Sequence, residues 1–374
     1  YESINKVDSN PILLCLDQWK NIPSATGKIQ NVRHLDATFF GLLRPFADCV
    51  DPTIRATLEK VFEAIVDAGV NPFSLYGGNT AVYSCAGCSE TEVCTVLLLS
   101  RGYLNLSYPW LLSCGHTFLS NRISNIFDFH GTSFATYSYW LGGMEVLKLA
   151  VDDIKKGRAK NAVILVSNII LYPEIMRAHA KFGMFSQSGV TKAFDDEASG
   201  YGRSEGAVAF FLQREGDALK QYAKVVHADI CQGNSIPKKI GSIHPEGFQR
   251  FLNKFYSDCN VSPSDVSFLE AFGCGVPKID EVELNVVTDV FCKNRQNPLK
   301  IGSVKSNAGH AEASSCLFSL AKALIATDTG FIPPNINYDK PNSKVPGLID
   351  GRLKVRVNNF MLESHDSMYM QLNH

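Results

Sequence analysis

Between Asp128 and Gly157 the chain reads DFHGTSFATYSYWLGGMEVLKLAVDDIKKG, a pattern that few architectures accommodate. A short apolar-aromatic run, Phe134 to Trp140, meets a helix predicted to begin near Trp140. Leu147, Ala150, Val151 and Ile154 recur at helical spacing, and Gly157 after two lysines reads as its stop. Asn161-Ala-Val-Ile-Leu-Val-Ser167 follows, apolar on both faces, as in a strand covered on both sides of a sheet. Strand, tight turn, helix and buried strand place the turn residue at a helix N-terminus, pointing into the middle of the molecule. In many α/β enzymes a nucleophile occupies such an elbow, where backbone donors and the helix dipole stabilise an anion. Here the position holds Trp140, which has no nucleophilic atom.

The length of 374 residues suffices for one large core or for two halves sharing one. Hydrophobic residues make up 45% and charged residues 20%, the balance of a globular chain rather than a disordered one. A formal net charge of −1 favours neither nucleic acid nor an anionic membrane as a partner. The 11 cysteines are odd in number and lack framework spacing, which argues for free thiols in a reducing compartment. Cys85-Ala-Gly-Cys88 is a CxxC without a second pair, set in a strand-like run, and carries no metal or redox assignment. No apolar run has the length of a membrane span, and Tyr1 to Asn10 lack a signal peptide's apolar core. The expectation is a cytoplasmic protein without membrane span, nucleic acid, metal or cofactor.

Along the chain, Asp51-Pro52 reads as an N-cap followed by proline in the first helical turn. The helix after it buries Ile54, Leu58, Val61, Phe62 and Ile65 on one stripe and ends at Gly69. Thr80 to Ser84 reads as a strand, and Cys114 to Ile126 as a helix whose His116 is structural. Helix and loop are expected over Tyr172 to Met184, and strands over Ala207 to Gln213 and Tyr222 to Ile230. Pro245 to Tyr256 is helical, with Phe248, Phe251, Leu252 and Phe255 on one face. Phe268 to Phe272 (strand), Asp280 to Phe291 (helix), Leu299 to Val304 (strand) and Glu312 to Thr327 (helix) repeat the alternation. Two sets of strand–loop–helix units predict one compact domain over 1–374, with similar halves of about 1–216 and 217–374. His130, His179, His227 and His244 show no metal-ligand spacing among themselves.

The motifs in this order resemble the β-ketoacyl synthase (ketosynthase) family, above all the ketosynthase domain of animal fatty acid synthase. The likeness rests on His34-Leu-Asp-Ala-Thr-Phe-Phe-Gly41, Glu63-Ala-Ile-Val-Asp-Ala-Gly-Val-Asn-Pro72 and Asn121-Arg-Ile-Ser124. It continues through Lys192-Ala-Phe-Asp195, Gly200-Tyr-Gly-Arg-Ser-Glu-Gly206 and, most specifically, Lys305-Ser-Asn-Ala-Gly-His310-Ala-Glu312. The resemblance implies a thiolase-like α/β fold, two related βαβ-type halves in a five-layer α-β-α-β-α body, forming a homodimer. It also implies acyl transfer from a phosphopantetheine thioester to a cysteine, then decarboxylative condensation with malonyl on an acyl carrier protein. That chemistry demands a thiolate, donors for an oxyanion, and two histidines for the enolate.

Several positions depart from the family. Counting from Gly157 and from Asp128-Phe129 sets the family's nucleophilic cysteine at Trp140, within Tyr137-Ser138-Tyr139-Trp140-Leu141-Gly142-Gly143. The first histidine falls on Phe272 of Glu270-Ala-Phe-Gly-Cys-Gly-Val276, and two threonines associated with the pantetheine arm become Cys274 and Val276. The second histidine survives as His310, with Lys305, Asn307 and Glu312 around it. The family's glycine-rich C-terminal loop and first apolar strand have no counterpart, so the fragment looks clipped at both ends.

The leading expectation is therefore a domain that has lost condensing activity and serves as a dimeric scaffold within a fatty-acid-synthase-like polypeptide. In that reading Lys305 and Glu312 form a structural ion pair or cap, and His310 is retained for folding. A second expectation keeps an acyltransferase, with Cys274 as relocated nucleophile beside His310. A third uses the old acyl tunnel to carry a fatty acyl ligand.

Overall fold

The computed structural model describes residues 4–6, 22–87, 89–100, 102, 115, 117–231, 243–358, 360–361 and 369–372. The first half is built around a sheet of β1 (Thr80–Ala86), β2 (Ser133–Thr136), β3 (Asn161–Asn168) and β4 (Gly206–Gln213), in the order β2-β1-β3-β4. β1 is parallel to β2 and to β3, and β4 closes the far side antiparallel to β3. Every residue of β1 and β3 is buried, as expected of runs apolar on both faces.

Helix α1 (Pro52–Asp67) and helix α2 (Phe118–Ile126) cover one face of this sheet. The Asp51 side chain accepts the Thr53 N–H at 2.7 Å, which satisfies one donor that the first turn leaves open. Ile54, Leu58, Val61 and Ile65 then turn a single apolar stripe onto the strands. Burial of each such side chain is worth about 1.5–3 kcal/mol. Helix α3 (Gly142–Lys155) covers the other face with Val146, Leu147, Ala150, Val151 and Ile154. Its first two residues must be glycine: a Cβ on Gly142 would collide with the Cys85 thiol, and one on Gly143 with the Cys316 thiol.

The second half repeats the plan with β5 (Val266–Glu270), β6 (Leu299–Gly302), β7 (Leu353–Val355) and β8 (Tyr369–Leu372), all parallel, in the order β7-β6-β5-β8. Helices α5 (Pro245–Cys259) and α6 (Pro277–Phe291) pack Leu252, Tyr256, Leu284, Val287 and Phe291 against it. Between α3 and this second sheet lies α7 (Ser315–Thr329), which touches α3, β4 and β8. The layers run helix, sheet, helix, sheet, helix. A further helix, α4 (Pro173–Ala180), stands beside the loop that enters α3.

Two local expectations need correction. Tyr222 to Ile230 is not a strand. Tyr222 and Lys220 bond Asp67, Lys155 donates to the Val226 carbonyl, and Val225 packs on the α3 cluster. The segment is a strap held by side chains, and its apolar residues cover a helix instead of joining a ladder. The helix expected over Cys114 to Ile126 begins at Phe118, and Cys114 and His116 lie outside the described residues.

Candidate functional site

Three strand-to-helix turns converge on one buried cluster of rings. The first leaves β2 and passes through a single tight turn, Tyr139–Leu141, into α3. Thr136 donates to the Glu145 carboxylate at 2.7 Å, and Ser138 donates to the same oxygen, so a first-turn carboxylate anchors the loop to its own helix. Tyr139 sits at φ 52°, a left-handed conformation that costs a non-glycine residue of order 1 kcal/mol or more. Stacking holds it there: its ring centroid lies 5.5 Å from that of Trp140 and 5.7 Å from that of His179 of α4, whose ring is nearly parallel to it.

The second turn leaves β5 through Phe272-Gly-Cys-Gly275. Glu283, nearly two turns into α6, accepts the N–H groups of Phe272 and Gly273 at 2.8 and 2.9 Å. Asp280 accepts those of Gly275 and Phe194 at 3.1 and 3.0 Å. Two buried carboxylates thus take the place of the backbone ladder and fix Phe272 against Trp140 and His310. Burial pushes the Asp280 carboxyl up to about 7, against the lowering effect of the N–H groups it accepts.

The third turn leaves β6 through Lys305–Ala308 and reaches His310. The His310 N–H donates to the Gly202 carbonyl at 2.7 Å, and the Ser204 N–H donates to the His310 carbonyl at 2.9 Å. The two segments bracketing Arg203 and His310 are thereby zipped together. His310 is fully buried. Its Nδ1 accepts the Glu312 N–H at 3.0 Å and lies 3.1 Å from the Ser315 hydroxyl, so Nε2 carries the proton of the neutral ring. Burial, with Lys305 and Arg203 adding to it, holds the imidazole well below its ordinary pKa.

Trp140 packs over the outer side of this cluster. Its half-buried indole lies 5.0 Å from the His310 ring, 5.8 Å from Tyr201 and 6.0 Å from Phe272, centroid to centroid. The indole N–H donates to Glu312 Oε2. The other oxygen, Oε1, accepts Arg203 Nε at 3.2 Å and lies 3.5 Å from the Tyr201 hydroxyl. Arg203 is buried and reaches Glu90 as well, at 3.3 Å, while Glu90 accepts the Leu171 and Tyr172 N–H groups.

Trp140, Phe272, His310, Lys305 and Glu312, picked out from the sequence, therefore meet. Their pairing differs in one respect. Among the described residues Lys305 makes no ion pair with Glu312, because Arg203 holds that carboxylate. Among the described residues the buried Lys305 ammonium has no hydrogen-bond partner, and it stands 4.4 Å over the Phe272 ring. Burial lowers its pKa. Asn307 points elsewhere and donates to the Pro334 carbonyl at 2.9 Å. Cys274 is fully buried. Its thiol donates to Asp280 at 3.7 Å, and burial followed by the Asp280 charge raises it well above the ordinary thiol range. Cys85 is likewise buried, its thiol pushed up to about 11, and Cys88 lies outside the described residues.

Sequence reasoning missed Arg203, Glu90 and His179. Arg203 lay inside a recognised motif, but nothing along the chain ties it to Glu90 or Glu312, which are distant in sequence. His179 stacks by its place on α4, which no spacing rule reports.

The sequence profile described as "Beta-ketoacyl synthase, N-terminal domain" matches residues 17–218, and that described as "Beta-ketoacyl synthase, C-terminal domain" matches 222–339. The chain is 34% identical over 319 residues to a fatty acid synthase of Anser anser anser, covering 84% of this chain and 89% of that sequence. It is 32% identical over 333 residues to a highly reducing polyketide synthase of Penicillium rubens, covering 87% of this chain but only 12% of that protein. Among solved structures it resembles an oxazolomycin ketosynthase domain of a Streptomyces albus strain, with TM-score 0.83, 24% identity, and coverage of 92% of this chain and 60% of that one. The ketosynthase from module 6 of the Bacillus subtilis bacillaene synthase gives TM-score 0.83 and 23% identity, with 96% and 62% coverage. Among the described residues no helix is long and apolar enough to cross a membrane. The fold is the thiolase-like ketosynthase fold, and by its profile matches and its goose relative this chain belongs to the β-ketoacyl synthase family.

Proposed function

We propose that this chain is a ketosynthase-fold domain that does not carry out condensation and acts as a dimeric scaffold within a larger synthase-like polypeptide. One observation carries this reading: the Trp140 indole stands at the elbow where a nucleophile is expected, bonded to Glu312 and packed on His310 and Phe272. Indole carbon and nitrogen cannot form the acyl thioester that the family's chemistry requires. His310 remains, yet as a neutral ring packed among aromatics it has no enolate to stabilise when no acyl group is held.

The dimer is supported by strand β2. It lies at the end of its sheet, and Phe134 on it is 42% exposed. A second copy related by a two-fold axis offers the same strand and would cover both edges. The relocated-nucleophile alternative has less support, because the Cys274 thiol is sealed from solvent and raised rather than lowered.

Intact-protein mass after incubation with acetyl-CoA, palmitoyl-CoA and malonyl acyl carrier protein tests the proposal. The expected result is the unmodified mass in all three, including with a carrier protein that docks. A stoichiometric acyl adduct overturns it, and peptide mapping then identifies the thiol.

A further inference from the structure

The strap that crosses α3 carries His227 and Asp229 at alternate positions, and helix α5 brings Asp258 up to them from the second half. One ring nitrogen of His227 and one carboxylate oxygen from each of Asp229 and Asp258 lie within 4.8 Å of one another. The imidazole is fixed by Phe255, with ring centroids 4.7 Å apart. Its Nε2 is buried and has no hydrogen-bond partner among the described residues. Asp229 is partly exposed and its ion pairs are long. The nearest cations, Lys148 and Lys254, stand 3.9 Å away, and each bonds another carboxylate, Asp152 and Asp258 respectively. A buried imidazole nitrogen without a partner is costly to keep unless something joins it.

We infer that His227, Asp229 and Asp258 form a binding site for a divalent first-row transition ion such as zinc. One imidazole and two carboxylates supply three donors of the types zinc takes, leaving a fourth position for water. The imidazole selects against magnesium and calcium, which prefer oxygen alone. Two carboxylate charges balance the ion. Lys254 supplies part of that balance through Asp258, so a metal and Lys254 compete for the same carboxylate. The ion would staple the strap, which lacks a sheet ladder, to a helix of the other half. This inference stands apart from the condensation question, since none of its residues lies in the Trp140 cluster.

Full-length protein stripped with a chelator and dialysed is titrated with zinc chloride, cobalt chloride and magnesium chloride by calorimetry. One zinc per chain is expected, a cobalt site with visible absorption of tetrahedral type, and no magnesium binding. Loss of a ligand should cost at least the roughly 10–100-fold that loss of an outer partner does, so His227→Ala and Asp229→Asn should weaken zinc by that much. Lys254→Met should tighten zinc, an effect that a purely structural ion-pair cluster does not predict. Zinc binding that is absent, that survives both ligand substitutions, or that disappears only in Cys231→Ser overturns the inference. Weakened zinc binding in Lys254→Met does so independently of whether the ligand variants fold.

Discussion

The indole N–H of Trp140 donates to the Glu312 carboxylate, and Glu312 holds that position at φ 49°, a backbone conformation that side chains other than glycine seldom adopt. Arg203 on the other oxygen and His310 on the Glu312 N–H complete the clamp. The strained residue is thus fixed from three sides, one of them supplied by tryptophan. Trp140→Phe keeps an aromatic ring but leaves a buried carboxylate oxygen with one donor fewer. A hydrogen bond to a charged group is worth about 1.5–3 kcal/mol, and a loss of that size is expected in urea unfolding. Trp140→Ala, which also empties the space, should cost more, about 3–5 kcal/mol. Equal stability of the phenylalanine variant and the parent would show that the bond contributes nothing.

Thiol reactivity separates the scaffold reading from relocated catalysis. Cys231 is exposed, whereas Cys274 is fully buried and its thiol raised. Iodoacetamide near neutral pH should label Cys231 well before Cys274 in the native chain, and label both once urea is added. Preferential native labelling of Cys274, read by peptide mapping, would instead support the acyltransferase alternative.

The exposed edge of β2 makes the assembly state testable. Phe134→Lys places a charge on the strand proposed to meet its copy, a substitution that natural sheet edges use to prevent pairing. Light scattering should give a dimer for the parent and a monomer, or a dimer weakened by tenfold or more, for the variant. An unchanged dimer would move the interface elsewhere. Solvent extraction of the same parent protein should yield no fatty acyl ligand, because the Trp140 indole is packed directly on Phe272 and His310.

Much of this was readable along the chain. Alternation of strand and helix and the buried runs of β1 and β3 follow from periodicity, which is a local property. The motif order brought Trp140, Phe272, His310 and Glu312 into one site. What was not readable depended on partners distant in sequence. Lys305 and Glu312, opposite charges on one short turn, suggested a pair, but Arg203 comes in from another segment and takes the carboxylate. Val225 and Val226 gave Tyr222 to Ile230 the composition of a strand, yet the segment covers a helix, and composition does not distinguish the two uses.

Lys305 gives a prediction of unusual sign. Its ammonium has no hydrogen-bond partner among the described residues and rests on the Phe272 ring. Replacing buried ionic groups by apolar ones of similar volume is neutral or stabilising by about 1–4 kcal/mol in well-packed surroundings. Lys305→Met should therefore unfold at the same or a higher urea concentration than the parent. A loss of more than about 2 kcal/mol would mean that the cation–π contact and the charges of Glu270 and Glu283 outweigh desolvation.

Two buried groups set opposing responses to acid. Asp280 has a folded pKa of about 7 against an ordinary 3.8, because burial disfavours its charge. Its contribution to stability is largest below 3.8 and is lost as pH rises towards 7, where the folded state must hold a buried carboxylate. His310 runs the other way. Its folded pKa lies well below 6.5, so stability is lost as pH falls below 6.5 and the unfolded chain takes up a proton that the folded chain refuses. In the parent the two slopes offset each other between pH 6.5 and about 4. Asp280→Asn removes one of them while keeping an acceptor for the Gly275 or Phe194 N–H. Urea midpoints measured across that window should fall more steeply with acid in Asp280→Asn than in the parent. Parallel curves would mean that Asp280 is ionised at neutral pH at no cost, and that the carboxylate is held by its N–H donors rather than opposed by burial.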